Sequence, residues 1–478
     1  MNRKNNNDDI DFVDWESVWD KEYGFGADKN SFDEAYEIAL RAKRNSRNNQ
    51  GEKRTSGAKP TKIPSQKGNN DTPKRKSSKT QKTSPKQNGN KQKKKKWGWF
   101  KRTLFLLLVF VNLYIIVIYS QIPFIAKWRT IYIETAMSTM RYQWLATAFI
   151  PGDVIDDVMR DRYLLDEHQS GLVSEWDGGI GFAPRSIWES DKEYFSRIFH
   201  EIDIDTFDEY ASEHDVYTKK GSVMIDEADL DGDGTTIKTK QGDEVLAIDE
   251  DNGILITKIH GDGFVARLAI IKDPAQVKLG LCENFGKIGS RAELLVEDNG
   301  AILGINASGF VDPEGMGNGG KAYGLVISEG ELYQDIIGNA NKIIAFDYRD
   351  RLNIGNYKSL STFRDAVEFK PALIINGEKL VKGSAGWGIQ PRSVIGQTER
   401  GEVLLLIVDG RAPGYSIGAT LGQCADIMMQ YDAVQACNLD GGSSSIMYYN
   451  GREISRPSAA NKVKGRAIPN GFLVYPRK

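Results

Sequence analysis

The chain has 478 residues, 40% of them hydrophobic, with 63 Lys/Arg against 65 Asp/Glu and a formal net charge of −2. That length is ample for a large core, and its 3 cysteines exclude a small scaffold built on disulfides. The near-neutral total hides an asymmetry: residues 1–102 hold 26 Lys/Arg against 13 Asp/Glu, leaving 37 against 52 for the remainder, so two environments are expected.

Residues 1–30 are acidic and Asn-rich with scattered aromatics, and Ser31 and Glu34 stand at capping-box spacing for a short helix. Residues 45–96 offer almost nothing to bury and read as a disordered linker. Residues 103–126, "TLFLLLVFVNLYIIVIYSQIPFIA", carry no charge and are long enough to span a bilayer as a helix. The preceding "KQKKKKWGWFKR" is a positive-inside flank with interfacial tryptophans. The span lies too far from residue 1 for a cleaved signal, so it is expected to be a retained single-pass anchor. Residues 1–102 are then a cytoplasmic tail, able to dock an unidentified partner, and the rest is extracytoplasmic. Lysines that orient a helix and touch anionic lipid need no nucleic acid, and none is expected.

Residues 127–220 are expected to hold membrane-proximal helices and a stalk. One helix is read over "TIYIETAMSTMRYQWLATAFI", and a second over "VIDDVMRDRYLL" capped by Asp153; residues 165–220 look polar and irregular, like a stalk or a covering insertion. From 221 to 478 short β-rich runs alternate with Gly, Asn and Asp turns: "EVLAID", "GILITKI", "FVARLAIIK", "AELLVE", "AILGIN", "YGLVIS", "KIIAFDY", "PALIIN", "SVIGQT" and "VLLLIVD". One helix interrupts them, "TLGQCADIMMQY", with Thr420 and Gln423 at capping-box spacing. The expected fold class is α+β with a large, mostly mixed sheet. Cys282 has no sequence neighbour; Cys424 and Cys437 are near enough to pair, but small buried thiols are the simpler reading.

His168, His200, His214 and His260 all precede the Gly/Asp-rich C-terminal half, without metal-ligand spacing, so histidine triads and zinc sites have little support. "DLDGDG" places Asp229, Asp231 and Asp233 like the start of a calcium loop. Lys240 stands where an EF-hand needs glutamate, so a solvated turn is preferred and no cofactor is expected. Between 304 and 470, strands repeatedly end in Asp or Asn followed by Gly. Asn306 and Ser308 stand at one strand mouth, Arg392 opens a strand, and "DPEGMGNGGKAYG" is a glycine-rich loop without a nucleotide motif. "VDGRAPGYSIGATLGQ" carries Asp409, Arg411 and Ser416 toward the helix start at Thr420, a natural anion site. "NLDGGSSSIMYYNG" puts Asn438 and Asp440 before Gly441, Gly442, Ser443 and Ser444; a turn acid explains this alone, and an Asn450-Gly451 hairpin is expected after it.

Taken together, "NLDGGSSSIMYYNG", "VDGR…SIGATL", "QPRSVIGQ" and the later "RPS" resemble the phosphodiester glycosidase (NAGPA-type) family over about residues 240–478. Ser443 stands where that family usually has a third glycine, and its "NGGFF"-like segment is here "NASGF". The resemblance implies hydrolysis of a sugar-1-phosphodiester in a cell-envelope or exopolysaccharide polymer. Asp440 and Asp409 would be the carboxylates at the anomeric carbon, and Arg392 and Arg411 would hold the leaving phosphate. Asn306, Ser308, Ser416, Thr420, Asn438, Ser443 and Ser444 would hold hydroxyls or phosphate oxygens, with the Gly441-Gly442 amides near the phosphate. A transferase passing the unit to a wall polymer, or a non-catalytic polysaccharide-binding protein, remains open at this point.

Overall fold

The apolar runs are apolar throughout because both their faces are covered. This computed structural model describes residues 94–139, 142–176, 183, 185–186, 188–230, 232, 234–312, 317–337, 341–458 and 465–477. Its largest element is a nine-stranded sheet in the order Met224–Asp226, Glu244–Asp249, Ile254–Gly261, Phe264–Ile271, Val403–Val408, Arg392–Thr398, Ala433–Asn438, Ala372–Ile375, Glu378–Lys379. Successive side chains on a strand point to opposite faces. Leu404, Leu406 and Val408 therefore join one core, and Val403, Leu405 and Ile407 the other.

The first core is closed by the helices Asp191–Ile198, Ile204–Glu213 and Leu421–Gln430, whose Phe195, Phe207 and Met428 pack into it. The second is closed by two five-stranded sheets. One runs Leu352–Gly355, Lys342–Asp347, Phe363–Phe369, Val326–Ser328, Glu331–Gln334; the other runs Arg452–Glu453, Met447–Tyr449, Leu303–Asn306, Asn470–Val474, Val277–Leu281. At about 1.5–3 kcal/mol for each fully buried Leu, Ile or Phe, this double burial is what holds the strands without disulfides. Cys282, Cys424 and Cys437 are free and buried; Cys424 lies in the helix-side core and Cys437 in the core across the sheet, so they do not pair.

Several expectations are corrected. The class is α+β, but the strands form three sheets rather than one, and every pairing among the described residues is antiparallel, not mixed. "AELLVE" is a helix, Ala292–Asp298: its buried positions Ala292, Leu295 and Val296 follow helical spacing, and Ala, Glu and Leu favour helix. Of the two readings of residues 165–220, the described part of 188–220 fits the covering insertion and not an irregular stalk. Ser190 and Glu193 make a capping box for Asp191–Ile198, and Tyr194, Phe195, Ile198, Phe207 and Tyr210 enter the main core.

The apolar helix covers Lys94–Tyr119, and Gly98–Tyr119 is long and apolar enough to cross a membrane. It stops before residue 126 because Pro123 starts a new helix, Pro123–Met137, in the first-turn position where proline's missing N–H costs nothing. Trp144–Thr147 and Gly152–Gln169 follow, the latter capped by the Pro151 backbone rather than the Asp153 side chain. The three pack through Ile133, Ala136, Ala146, Ile155 and Met159. The tail expectations, including the Ser31 helix, lie outside the described residues up to position 93.

Candidate active site

Register brings the candidate residues to one edge. Arg392 lies opposite Val408, and Val394 opposite Asn438, so the segments entering and leaving these three neighbouring strands meet there. The segment after Asn438 is not a hairpin. It carries the chain out of the nine-stranded sheet into Met447–Tyr449, which pairs with Leu303–Asn306 in a different sheet. The hairpin expected at Asn450-Gly451 is present one strand later, both residues having positive φ (45° and 85°).

The crossing loop is pinned by backbone bonds. Leu439 N–H donates to Ser393 O (2.8 Å), Asp440 N–H to Ala307 O (3.2 Å) and Gly442 N–H to Pro391 O (2.9 Å). Two glycines are required for different reasons. A Cβ on Gly441 would lie 2.9 Å from Pro391 O, and Gly442 has φ +64°. Ser443 sits in the 3-10 turn Gly442–Ser444 outside the left-handed region, so a third glycine is not needed.

Asp440 is half-buried at the mouth of this edge. Burial pushes its carboxyl up to about 6, with Asp312 adding to the rise and the Ser444 hydroxyl, Arg466 and the Gly441 amide opposing it. Gly441 N–H thus serves Asp440 and Gly442 N–H serves Pro391, which corrects the expectation of amides free for phosphate.

Two guanidinium groups flank the turn. Arg411 donates to Gln390 Oε1 (2.7 Å) and Ser458 Oγ (3.3 Å), and a Cβ on Gly442 would lie 3.1 Å from its Nη2. Arg466 pairs with Asp312 (2.6 Å), reaches Ser443 Oγ (3.3 Å) and stacks over Phe310 (4.7 Å).

The remaining candidates form the frame. Asn306 donates to Asp440 O (2.6 Å) while its Oδ1 accepts from Ser393 Oγ (2.8 Å) and Ile446 N–H (3.3 Å). Ser308 donates to Asn470 (2.9 Å), and Asn438 to Lys370 O (2.9 Å). Ser416 Oγ donates to Asp409 O (2.6 Å) and accepts from Val265 N–H (3.1 Å). Arg392 is buried, its guanidinium donating to the carbonyls of Ala419, Trp387 and Gly388 (2.9–3.2 Å) and pulled down to about 10 by burial. The helix start is also occupied: Thr420 is bonded to Gln423, and Gly422 N–H donates to Gly383 O (2.7 Å), so it is no open anion site.

Asp409 is enclosed as well. Its carboxylate meets Arg267 (2.5 Å), Tyr415 OH (2.8 Å) and Arg456 N–H (2.7 Å), with its side chain 1% exposed. This corrects the expectation that both carboxylates stand at one reaction centre: Asp440 is half-buried, while Asp409 is enclosed by its partners. Arg466, Asp312, Gln390, Ser393 and Arg267 were not among the expected site residues. Arg267 had a signal, since a lone arginine inside the apolar run "FVARLAII" demands a buried counter-charge.

No described residue offers an open metal site here. His200, Glu201 and Glu402 approach one another elsewhere, but the Lys272 ammonium sits among them at 2.5 and 3.0 Å from the two glutamates and takes the place of a cation. Asp231 and Asp233 lie outside the described residues, and Asp229 pairs with Arg452 (3.0 Å).

A half-buried carboxylate thus stands on a turn flanked by two arginines, where three neighbouring strands meet. Residues 299–475 match the family profile described as phosphodiester glycosidase (NAGPA). A 70-residue stretch is 37% identical to N-acetylglucosamine-1-phosphodiester alpha-N-acetylglucosaminidase of Bos taurus, covering 15% of this chain and 13% of that protein. Among solved structures, the zebrafish catalytic domain of that enzyme, auto-inhibited by its pro-peptide, aligns at 20% identity with a TM-score of 0.39, over 47% of this chain and 82% of that one. A hypothetical protein from Synechocystis aligns at 16% with a TM-score of 0.37, over 50% and 65% respectively.

Proposed function

We propose that the protein is a membrane-anchored, extracytoplasmic glycosidase that hydrolyses a sugar-1-phosphodiester in a cell-envelope glycan. The observation that carries this reading is Asp440: half-buried, raised to about 6, with Arg466 acting on its charge and Arg411 beside Gly442 in the same turn. Above that pH its carboxylate acts at the anomeric carbon, as nucleophile or as base for water. The C1–O bond breaks, its electron pair stays on the phosphate oxygen, and the water oxygen ends on C1. As base, Asp440 takes the water proton and returns it to solvent; as nucleophile, its oxygen bonds C1 as the phosphate leaves, and water then displaces it from C1 with loss of a proton to solvent. Arg411 and Arg466 hold the charge that grows on the departing phosphate, so no histidine acid is needed. Asn306, Arg392, Asn438, Ser308 and the Asp409–Arg267 pair keep the turn in position.

The anchor is the helix Gly98–Tyr119, oriented by the lysines before it with the N-terminus in the cytoplasm. The test is product analysis: the full chain in detergent is incubated with a panel of sugar-1-phosphodiesters, with and without an acceptor glycan. Free reducing sugar and a phosphomonoester in equal amounts, without acceptor, are expected. Release only when acceptor is added would mark a transferase, and binding without any turnover a receptor.

A further inference from the structure

The helical segment just after the apolar helix carries a set of exposed aromatic rings. Phe124, Trp128 and Tyr132 lie four residues apart on the helix Pro123–Met137, and Tyr142, Trp144 and Phe149 follow. All six are exposed, between 44% and 71%. The set is one surface: Tyr132 OH donates to Leu145 O (2.8 Å), and the Trp144 and Phe149 rings lie 6.5 Å apart. A cluster of exposed aromatic rings of this kind marks an interaction surface.

We infer that the helices Pro123–Met137 and Trp144–Thr147 lie in the headgroup boundary of the lipid bilayer, aromatic rings inward, and bring the site edge to the membrane surface. This rests on the reading of Gly98–Tyr119 as a membrane span. Three features favour lipid over a protein partner. Only three residues separate Tyr119 from Pro123, and Arg129 clamps that junction by donating to Ile118 O and Ser120 O (2.5 and 3.1 Å). Tryptophan and tyrosine are the residues that favour the boundary between acyl chains and water. The segment's one acid, Glu134, is buried, so no carboxylate on this face opposes anionic lipid.

The same segment reaches the site. Glu134 accepts from Gly386 N–H (3.1 Å) and Thr135 Oγ from Ile389 N–H (3.2 Å), while Thr135 O accepts from Gln390, whose Oε1 holds Arg411. A surface-bound segment therefore keeps Arg411 near the headgroups. The substrate class this fits is a sugar phosphodiester attached to, or polymerised at, the membrane.

The test is depth measurement by spin labelling of the full chain in nanodiscs of phosphatidylcholine and phosphatidylglycerol. Nitroxides are placed one at a time at Trp128, Trp144, Val109 and Lys219; the three native cysteines are buried, and the unsubstituted chain measures their background labelling. Labels at 128 and 144 are expected to show oxygen-to-nickel-chelate accessibility ratios several-fold above the label at 219, with 109 deeper still. Ratios at 128 and 144 equal to that at 219, with 109 deep, overturn the surface placement and leave the span intact. Low access to both reagents at 128 and 144 assigns the face to a second copy or a protein partner and also overturns it. An aqueous ratio at 109 overturns both the span and the inference built on it.

Discussion

Asn306 in one sheet holds the carbonyl of Asp440 on the loop leaving another, at 2.6 Å, while its own Oδ1 is fixed by Ser393 and Ile446. The position of the mouth carboxylate is thus set by a strand end to which it has no sequence proximity. Asn306→Asp replaces the donor with a second acceptor facing Asp440 O. We expect a stability loss of about 1–3 kcal/mol from the unpaired carbonyl. In steady-state kinetics kcat should fall more than tenfold, with KM changed far less.

In the proposed function Asp440 acts at the anomeric carbon, and its raised carboxyl gives that role a pH signature. Activity should rise with pH through about 6 as the carboxylate forms, and Asp440→Asn should lower kcat at least 10³-fold at neutral pH. The linked stability runs the other way. A carboxyl whose folded pKa lies above its unfolded value of 3.8 favours the folded state at low pH, and that contribution is lost as pH rises through about 6. Asp440→Asn should therefore raise stability at pH 8 by on the order of 1–2 kcal/mol after discounting for its partial exposure, seen as a higher melting temperature, and the gain should vanish near pH 4. A variant with full activity would sink the mechanism.

Asp409 gives the contrast. It neutralises the buried Arg267, so Asp409→Asn should cost about 3–5 kcal/mol by leaving that charge unpaired. Any residual activity should keep the wild-type inflection near 6, because the titrating group is elsewhere. A shifted pH profile in this variant would return Asp409 to the reaction centre.

How far the site was readable follows from the physics of each residue. Ten runs had the length and composition of strands, and nine of them are strands; "AELLVE" misled because six residues with two buried neighbours fit either period. The candidate loops were legible because glycine beside a carboxylate at a strand end is a local signal. Their division into mouth and frame was not, because it depends on register between strands far apart: Arg392 and Arg411 look alike in sequence, yet one is buried against carbonyls and the other edges the turn. Arg466 stayed hidden for the same reason, since Asp312 and Ser443 meet it only through the fold.

The two mouth arginines make separable predictions. Arg411→Lys keeps a charge but loses the fork that spans Gln390 and Ser458. We expect kcat/KM to drop on the order of 10²-fold, more for diesters whose phosphate leaves poorly. Arg466→Ala leaves Asp312 without its partner, so part of its effect is electrostatic injury; the double variant Arg466→Ala, Asp312→Ala should recover stability without recovering activity.

Gly442 and Ser443 test the turn itself. Gly442→Ala forces a side chain into φ +64° and to 3.1 Å from Arg411 Nη2, so the guanidinium or the turn must move. Strain of about 1–2 kcal/mol is expected, with a loss of activity well beyond what that destabilisation explains at the assay temperature. Ser443→Gly relieves no strain, because residue 443 has an ordinary backbone, and removes only the 3.3 Å contact to Arg466. Its activity should stay within about fivefold of wild type and its stability fall by roughly 0.5–1 kcal/mol from added chain entropy. If Ser443→Gly instead raised activity tenfold or more, the serine would be restraining the turn, and the ordering of these two positions would have to be reversed.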